Sequence, residues 1–139
     1  MNHQGQVALW RYRQARSGYR GFHTTANGLG AASMIRSLMA IRTGQNHRIP
    51  LVSVTPAILA VPNNSNDHAV GYQTLVIRAV TGEGIQRVSH AHPVVTVEAS
   101  HDSLAQFIEG YESIAAGQGD FTIGPDEHNL WFWWWPQRG

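Results

Sequence analysis

The sequence predicts a single α+β domain, a two-layer sandwich in which two helices pack on a mainly antiparallel sheet of about five to six strands. Two segments, 27–44 and 100–117, repeat apolar residues at the three- and four-residue spacing of a helix. The other apolar segments alternate with polar residues or are rich in β-branched residues, as strands are. The 139 residues contain no linker that would divide them into domains.

The predicted order of elements is β, (β), α, β, β, β, α, β. The first strand covers residues 6–13, where successive side chains point to opposite faces. A short second strand covers residues 19–24, after a Ser-Gly turn. The later strands are predicted at 49–61, 70–80, 85–99 and 130–135.

The first helix is predicted to begin near Asn27 and to end near Gly44, where glycine can take the left-handed conformation of a C-cap. Arg36, Ser37 and Thr43 fall largely outside its apolar stripe. We expect that stripe to face the sheet. It consists of Leu29, Ala32, Ile35, Leu38, Met39 and Ile41.

The second helix is predicted to be capped by Ser100 or Asp102 and closed by Gly117. Its polar side, with Glu109 and Glu112, is typical of a surface helix on a sheet. Its apolar residues are Leu104, Phe107, Ile108, Tyr111 and Ile114.

Composition excludes several kinds of chemistry. The chain has no cysteine, so disulfides, thiolate metal sites and cysteine nucleophiles are excluded. All ten basic residues are arginine, so no lysine is available for a Schiff base. No apolar run approaches a membrane span, and the first residues lack a signal-peptide pattern, so we expect a cytoplasmic protein without membrane contact.

Charge is divided unevenly along the chain. Residues 1–66 carry seven arginines and no acid, whereas residues 67–139 carry three arginines and all nine acids, so the two halves have net charges of +7 and −6. Such asymmetry indicates either a surface for an acidic partner or nucleic acid, or two halves that neutralise each other when folded.

The segment 10–22 interleaves arginines with aromatic residues. Guanidinium groups pair with phosphates and exposed rings stack on bases, so this pattern favours single-stranded nucleic acid or another acidic partner. The alternation of a strand would instead make the aromatic residues core and leave the arginines in solvent. The candidate binding residues are Trp10, Arg11, Tyr12, Arg13, Arg16 and Arg20.

His90 and His92 lie two residues apart on one predicted strand, a spacing that can chelate a metal. If a hairpin turn at 81–84 pairs the strands on either side of it, His90 lies opposite Leu75 and His92 opposite Gln73. A zinc site needs three or four ligands and only two are placed, so surface histidines are the alternative interpretation. We expect no other cofactor.

The aromatic C-terminal strand is the most informative feature of the sequence. One face carries three tryptophans and the other carries Phe132 and Trp134. We expect one face to pack under a helix and the other to meet a second subunit or a ligand. The candidate interface residues are Trp131, Trp133, Trp134 and Trp135.

The leading hypothesis is therefore a binding module without enzymatic activity. It would self-associate through the aromatic C-terminal strand and recognise an acidic macromolecular partner through the arginine-rich half. Two alternatives remain open at this point, a nucleic-acid-binding protein that uses the segment 10–22 and a metal-dependent enzyme centred on His90 and His92.

Overall fold

A computed structural model describes residues 4–12, 21–44, 47–55, 58, 69–82, 85–117, 121–123, 130–133 and 135–136. Within these residues the chain forms an α+β fold with two helices, which confirms the predicted class. None of the helices in this part of the chain is long and apolar enough to cross a membrane. In chain order the elements are β1 (Val7–Tyr12), β2 (Phe22–Ala26), α1 (Gly28–Arg42), β3 (His47–Pro50), β4 (Ala69–Gly71), β5 (Thr74–Ala79), β6 (Ile85–Ala91), β7 (Val94–Ala99), α2 (His101–Ala115), β8 (Phe121–Ile123) and β9 (Leu130–Phe132).

The strands form two mixed sheets, whereas the sequence predicted one. The first sheet has the order β4-β1-β2-β9-β8 and the second has the order β3-β5-β7-β6. Strand β2 pairs in parallel with β9, and β5 pairs in parallel with β7. The other described pairs are antiparallel.

The strand predicted at 70–80 is two strands that belong to different sheets. The backbone N–H of Tyr72 donates to Leu9 in the first sheet, whereas the N–H of the next residue, Gln73, donates to Pro93 in the second. The chain therefore passes from one sheet to the other between adjacent residues. Hydrophobic alternation continues through this point, so the sequence alone does not reveal the change of partner.

The hairpin predicted around residues 81–84 is wrong. Strands β6 and β7 instead form the hairpin, joined at His92–Pro93, and His90 lies opposite Val95 rather than Leu75. A proline cannot donate to a strand ladder, so the run 85–99 ends one strand and begins another at Pro93. Strand β5 then pairs with β7.

The ends of α1 agree with the prediction. The Asn27 side chain accepts from the backbone N–H groups of Gly30 at 2.8 Å and Gln6 at 2.9 Å, and Gly44 has a φ of 102°. The helix therefore begins and ends where the capping residues indicate.

The buried face of α1 differs from the predicted stripe. Leu38 and Ile41 are buried as expected, but Leu29 and Met39 are 63% and 58% exposed. The buried face is instead made largely of small residues, because the chain passes very close to it: a Cβ atom on Gly30 would lie 2.2 Å from the carbonyl oxygen of Gln6. The buried residues are Gly30, Ala31, Ser33, Met34, Ser37, Leu38 and Ile41.

The buried face of α2 agrees with the prediction, and Ser100 is its N-cap. The rings of Phe107 and Tyr111 make edge contacts with Phe132, with centroids 6.2 and 5.0 Å apart. Gly110 allows this approach, since a Cβ atom there would lie 2.6 Å from the Phe132 ring. One face of the C-terminal strand thus packs under a helix, as predicted.

Strand β2 and α2 are linked by a buried hydrogen bond. The Thr24 hydroxyl donates to the Ala8 carbonyl at 2.9 Å, so at the 2.8 Å contact between Thr24 and Tyr111 the phenol is the donor. Burial raises the pKa of Tyr111 well above its ordinary value of about 10.

We expect Gly110→Ala to lower the free energy of unfolding by about 1–3 kcal/mol, because the new methyl group overlaps the Phe132 ring. Gly28→Ala is the matched control, since a Cβ atom there meets nothing within 4 Å. That control should be neutral or stabilising by up to about 1 kcal/mol. Urea denaturation of both variants measures the difference, and equal effects would contradict the packing described.

We expect Tyr111→Phe to cost about 1 kcal/mol at neutral pH, because it removes a buried hydrogen bond. The raised pKa of Tyr111 means that its contribution is fully present below the unfolded-state pKa of about 10 and is lost as the pH rises through the folded-state value. The difference in stability between parent and variant should therefore narrow above about pH 10. A constant difference across this range would show that Tyr111 is not buried as described.

Candidate functional site

An aromatic cluster covers the face of the first sheet that points away from the helices. Trp10 pairs with His23 across β1 and β2, and His23 pairs with Trp131 across β2 and β9. The strand period of two puts Trp133 on the same face as Trp131. The cluster consists of Trp10, His23, Trp131, Trp133 and Trp135, packed with Ala8 and Ile58.

His23 lies at the centre of this cluster and is fully buried. Its ring stacks on Trp10 with centroids 5.6 Å apart, and on Trp131 and Trp133 at 6.1 Å each. The Trp133 indole N–H donates to His23 Nδ1 at 2.9 Å. An indole nitrogen only donates, so His23 Nδ1 is the acceptor and the neutral ring carries its proton on Nε2.

The aromatic cluster is a second core. The segment 51–55 covers part of it, with Val52 and Val54 packed against it and the Val52 N–H bonded to the Val7 carbonyl. Among the described residues, Trp10 Nε1 and the Thr25 hydroxyl are buried without a hydrogen-bond partner. Each such atom costs about 1–3 kcal/mol of desolvation.

The interface residues predicted on the C-terminal strand fall into different environments. Trp133 is 5% exposed and packs inside its own domain, whereas Trp131 and Trp135 are half-buried. Trp134 lies outside the described residues. Both edges of β9 are paired, with β2 and β8, so the strand itself offers no edge to a second copy. Self-association through Trp131 and Trp135 stays a prediction.

Trp10 and Arg11, two residues of the predicted arginine–aromatic site, lie on opposite faces of the first sheet. Trp10 is fully buried, so it is a core residue and presents no ring to a base. Arg11 lies on the opposite face, where its Nε donates to the Tyr72 hydroxyl at 2.8 Å. The Tyr12 side chain and residues 13–20, with Arg13, Arg16 and Arg20, are outside what the structure describes. Nucleic-acid binding through those arginines remains untested.

Of the two predicted metal ligands, only the side chain of His92 is described. It is exposed in the turn between β6 and β7, its Nε2 lies 3.1 Å from the Gly71 carbonyl oxygen, and its ring centroid lies 5.6 Å from that of Tyr72. The described residues contain no group of three histidines or acids that could hold a metal ion. The side chain of His90 lies outside this description.

Helix α1 exposes apolar and basic residues together. Leu29, Arg36 and Met39 recur at seven- and three-residue spacing on the side of the helix opposite Ile41, and Arg42 is exposed in the last turn. The half-buried Ala32 and Ile35 lie among them. Helix α1 contains no acid. We call this set the outer stripe, and it consists of Leu29, Arg36, Met39 and Arg42.

Helix α2 exposes the opposite charge. Asp102, Glu109 and Glu112 are exposed on one side of the helix, and α2 contains neither lysine nor arginine. We call these three residues the acidic stripe. The two helices pack against each other, so the division of charge along the sequence becomes a division between neighbouring helices.

The outer stripe is the surface that reasoning from the sequence missed. Leu29 and Met39 are the exposed large hydrophobic residues of the described chain, and both had been predicted to be core. The available signal was the row of small residues Gly30, Ser33 and Ser37 on the other side of the helix, a pattern typical of close backbone packing.

Comparisons of the chain with protein-family models, with curated proteins and with solved structures find no match. Its function is therefore inferred from the arrangement of its own residues.

Two adjacent threonines on β2 point to opposite faces of the first sheet, and their substitution tests the hydrogen bonding described on each face. Thr24→Val should lower the free energy of unfolding by about 1–2 kcal/mol, because its hydroxyl is bonded to Ala8 and Tyr111. Thr25→Val should be neutral or stabilising, because it replaces a buried hydroxyl that has no partner among the described residues. Thermal and urea unfolding compare the two. An equal loss at Thr25 would show that its hydroxyl is bonded after all.

Proposed function

We propose that the chain is a protein-interaction module without enzymatic activity, which binds an acidic amphipathic helix of a partner protein through the outer stripe of α1. The observation that carries this proposal is the exposure of Leu29 and Met39, at 63% and 58%, beside two arginines on a helix without an acid. A helix with apolar residues on both sides is typically covered by other protein surface on both sides.

The apolar part of the stripe supplies the driving force for docking. More than half of the Leu29 and Met39 side chains is still in contact with solvent, so covering them contributes on the order of 1–2 kcal/mol each. The unbranched thioether of Met39 also adapts to partners of different shape. These two residues favour a partner with its own apolar stripe.

The arginines of the stripe select the charge of the partner. Arg36 donates to Ser33 on its own helix at 3.1 Å, which holds the guanidinium beside the apolar residues. Arginine pairs with carboxylates in a bidentate geometry. A partner with acidic residues beside its apolar stripe is therefore preferred over a basic one.

A second candidate surface is the half-buried rim of the aromatic cluster at Trp131 and Trp135. Exposed aromatic area next to a packed core favours self-association. This surface lies on the face of the first sheet opposite α1 and α2, so substitutions distinguish it from the outer stripe.

A labelled synthetic helix with a leucine stripe flanked by glutamates is the probe for the proposed function. We expect it to bind, and Arg36→Glu with Met39→Glu to weaken binding at least about tenfold, because like charges then face each other. Fluorescence anisotropy at low and high salt measures the affinity, which should fall with salt.

Three controls accompany this measurement. Arg78→Glu changes an exposed arginine on β5 and should leave the affinity unchanged, as should Trp131→Ala at the aromatic rim. A peptide with lysines in place of the glutamates should not bind. Equal binding of both peptides, or an equal loss in the Arg78→Glu variant, would overturn the proposal.

A further inference from the structure

The acidic stripe of α2 is opposite in charge to the outer stripe of α1. The half-buried Ala105 and Ile108 lie beside this stripe, so α2 offers apolar area as well as carboxylates. With a rise of about 1.5 Å per residue, Arg36 and Arg42 are about 9 Å apart along α1, and Asp102 and Glu109 are about 10 Å apart along α2. The axial spacing of the two arginines is therefore close to that of two of the carboxylates.

These charges are not neutralised within the described part of the chain. Arg36 bonds to Ser33 of its own helix. No ion pair joins the arginines of α1 to the carboxylates of α2 among the described residues. Within the described residues, both sets of charges are open to a second molecule.

We propose that the acidic partner of the outer stripe is the acidic stripe of a second copy of this chain, so that the protein forms a symmetric dimer with α1 of each copy on α2 of the other. This inference rests on the proposed function and names its partner.

The arrangement of the helices suits a two-fold axis. Because α1 and α2 pack against each other and bury their inner faces in the same core, their outer faces are neighbours on the surface. A two-fold rotation between them brings α1 of one copy onto α2 of the other, and the same operation makes the second contact. Each copy contributes one basic and one acidic helix, so both contacts are attractive.

The size of this surface sets the strength of the dimer. Each helix has 15 residues and is about 22 Å long. Two helices side by side cover less than the roughly 800 Å² per partner of a standard stable interface. The dimer is therefore reversible, concentration-dependent and weakened by salt.

Two charge-reversal variants, measured separately and as a mixture, test the inference. One full-length variant carries Arg36→Glu with Arg42→Glu, and the other carries Glu109→Arg with Glu112→Arg. Each variant alone places like charges at both contacts, so each should associate at least about tenfold more weakly than the parent. An equimolar mixture restores opposite charges at both contacts and should form a heterodimer. Sedimentation velocity at several protein concentrations and two salt concentrations measures all four samples.

Matched variants separate this dimer from other associations. Arg78→Glu and Trp131→Ala should dimerise as the parent does, and circular dichroism with thermal unfolding verifies that every variant is folded. Rescue of association in the mixture, with tagged and untagged variants recovered together, is the supporting result.

Three results would overturn the inference. The first is a parent chain that stays monomeric at all concentrations and low salt. The second is a dimer that survives both charge reversals. The third is a dimer that is lost in Trp131→Ala, which would assign self-association to the aromatic rim. If the parent is monomeric and the glutamate-flanked peptide still binds, the occupant is another protein and the proposed function stands. If the peptide does not bind and the mixture is not rescued, both fail.

Discussion

The burial of β2 on both faces is the constraint on which the rest of the structure depends. All five of its residues are buried, and it lies between β1 and β9 at the centre of the first sheet. Its helix-facing side includes Thr24, which reaches Tyr111 of α2, and its other side includes His23, which accepts from Trp133. A strand buried on both faces needs two cores, and this chain builds the second from aromatic residues at its two ends.

The parallel pairing of β2 with β9 connects the beginning of the chain to its end. Phe132 packs under α2 while its neighbours Trp131 and Trp133 stack on His23. Among the described tryptophans of this run, Trp133 is buried in the second core, whereas Trp131 and Trp135 are half-buried. Part of the aromatic area that suggested an interface is therefore used within the domain.

Close packing of α1 has the opposite consequence. Its backbone approaches Gln6 so closely at Gly30 that no side chain fits there, and Met34, Leu38 and Ile41 fill the rest of the inner side. The large apolar residues Leu29 and Met39 are left outside, next to Arg36 and Arg42. Because α2 packs beside α1 and exposes three carboxylates, the molecule presents a basic apolar helix and an acidic helix as neighbours.

The sequence by itself determined the α+β class, both helices with their caps, and the buried face of α2, because local capping and an unambiguous apolar stripe specify these features. It also indicated that Trp10 and Arg11 lie on opposite faces of a strand, which the structure shows. Only the tertiary structure decided the division into two sheets, since Tyr72 bonds to the first sheet and Gln73 to the second without any change in the hydrophobic pattern. It alone decided which side of α1 is buried, because both sides offer apolar residues and the choice depends on how closely a distant segment approaches. The candidate interaction surface follows from that choice.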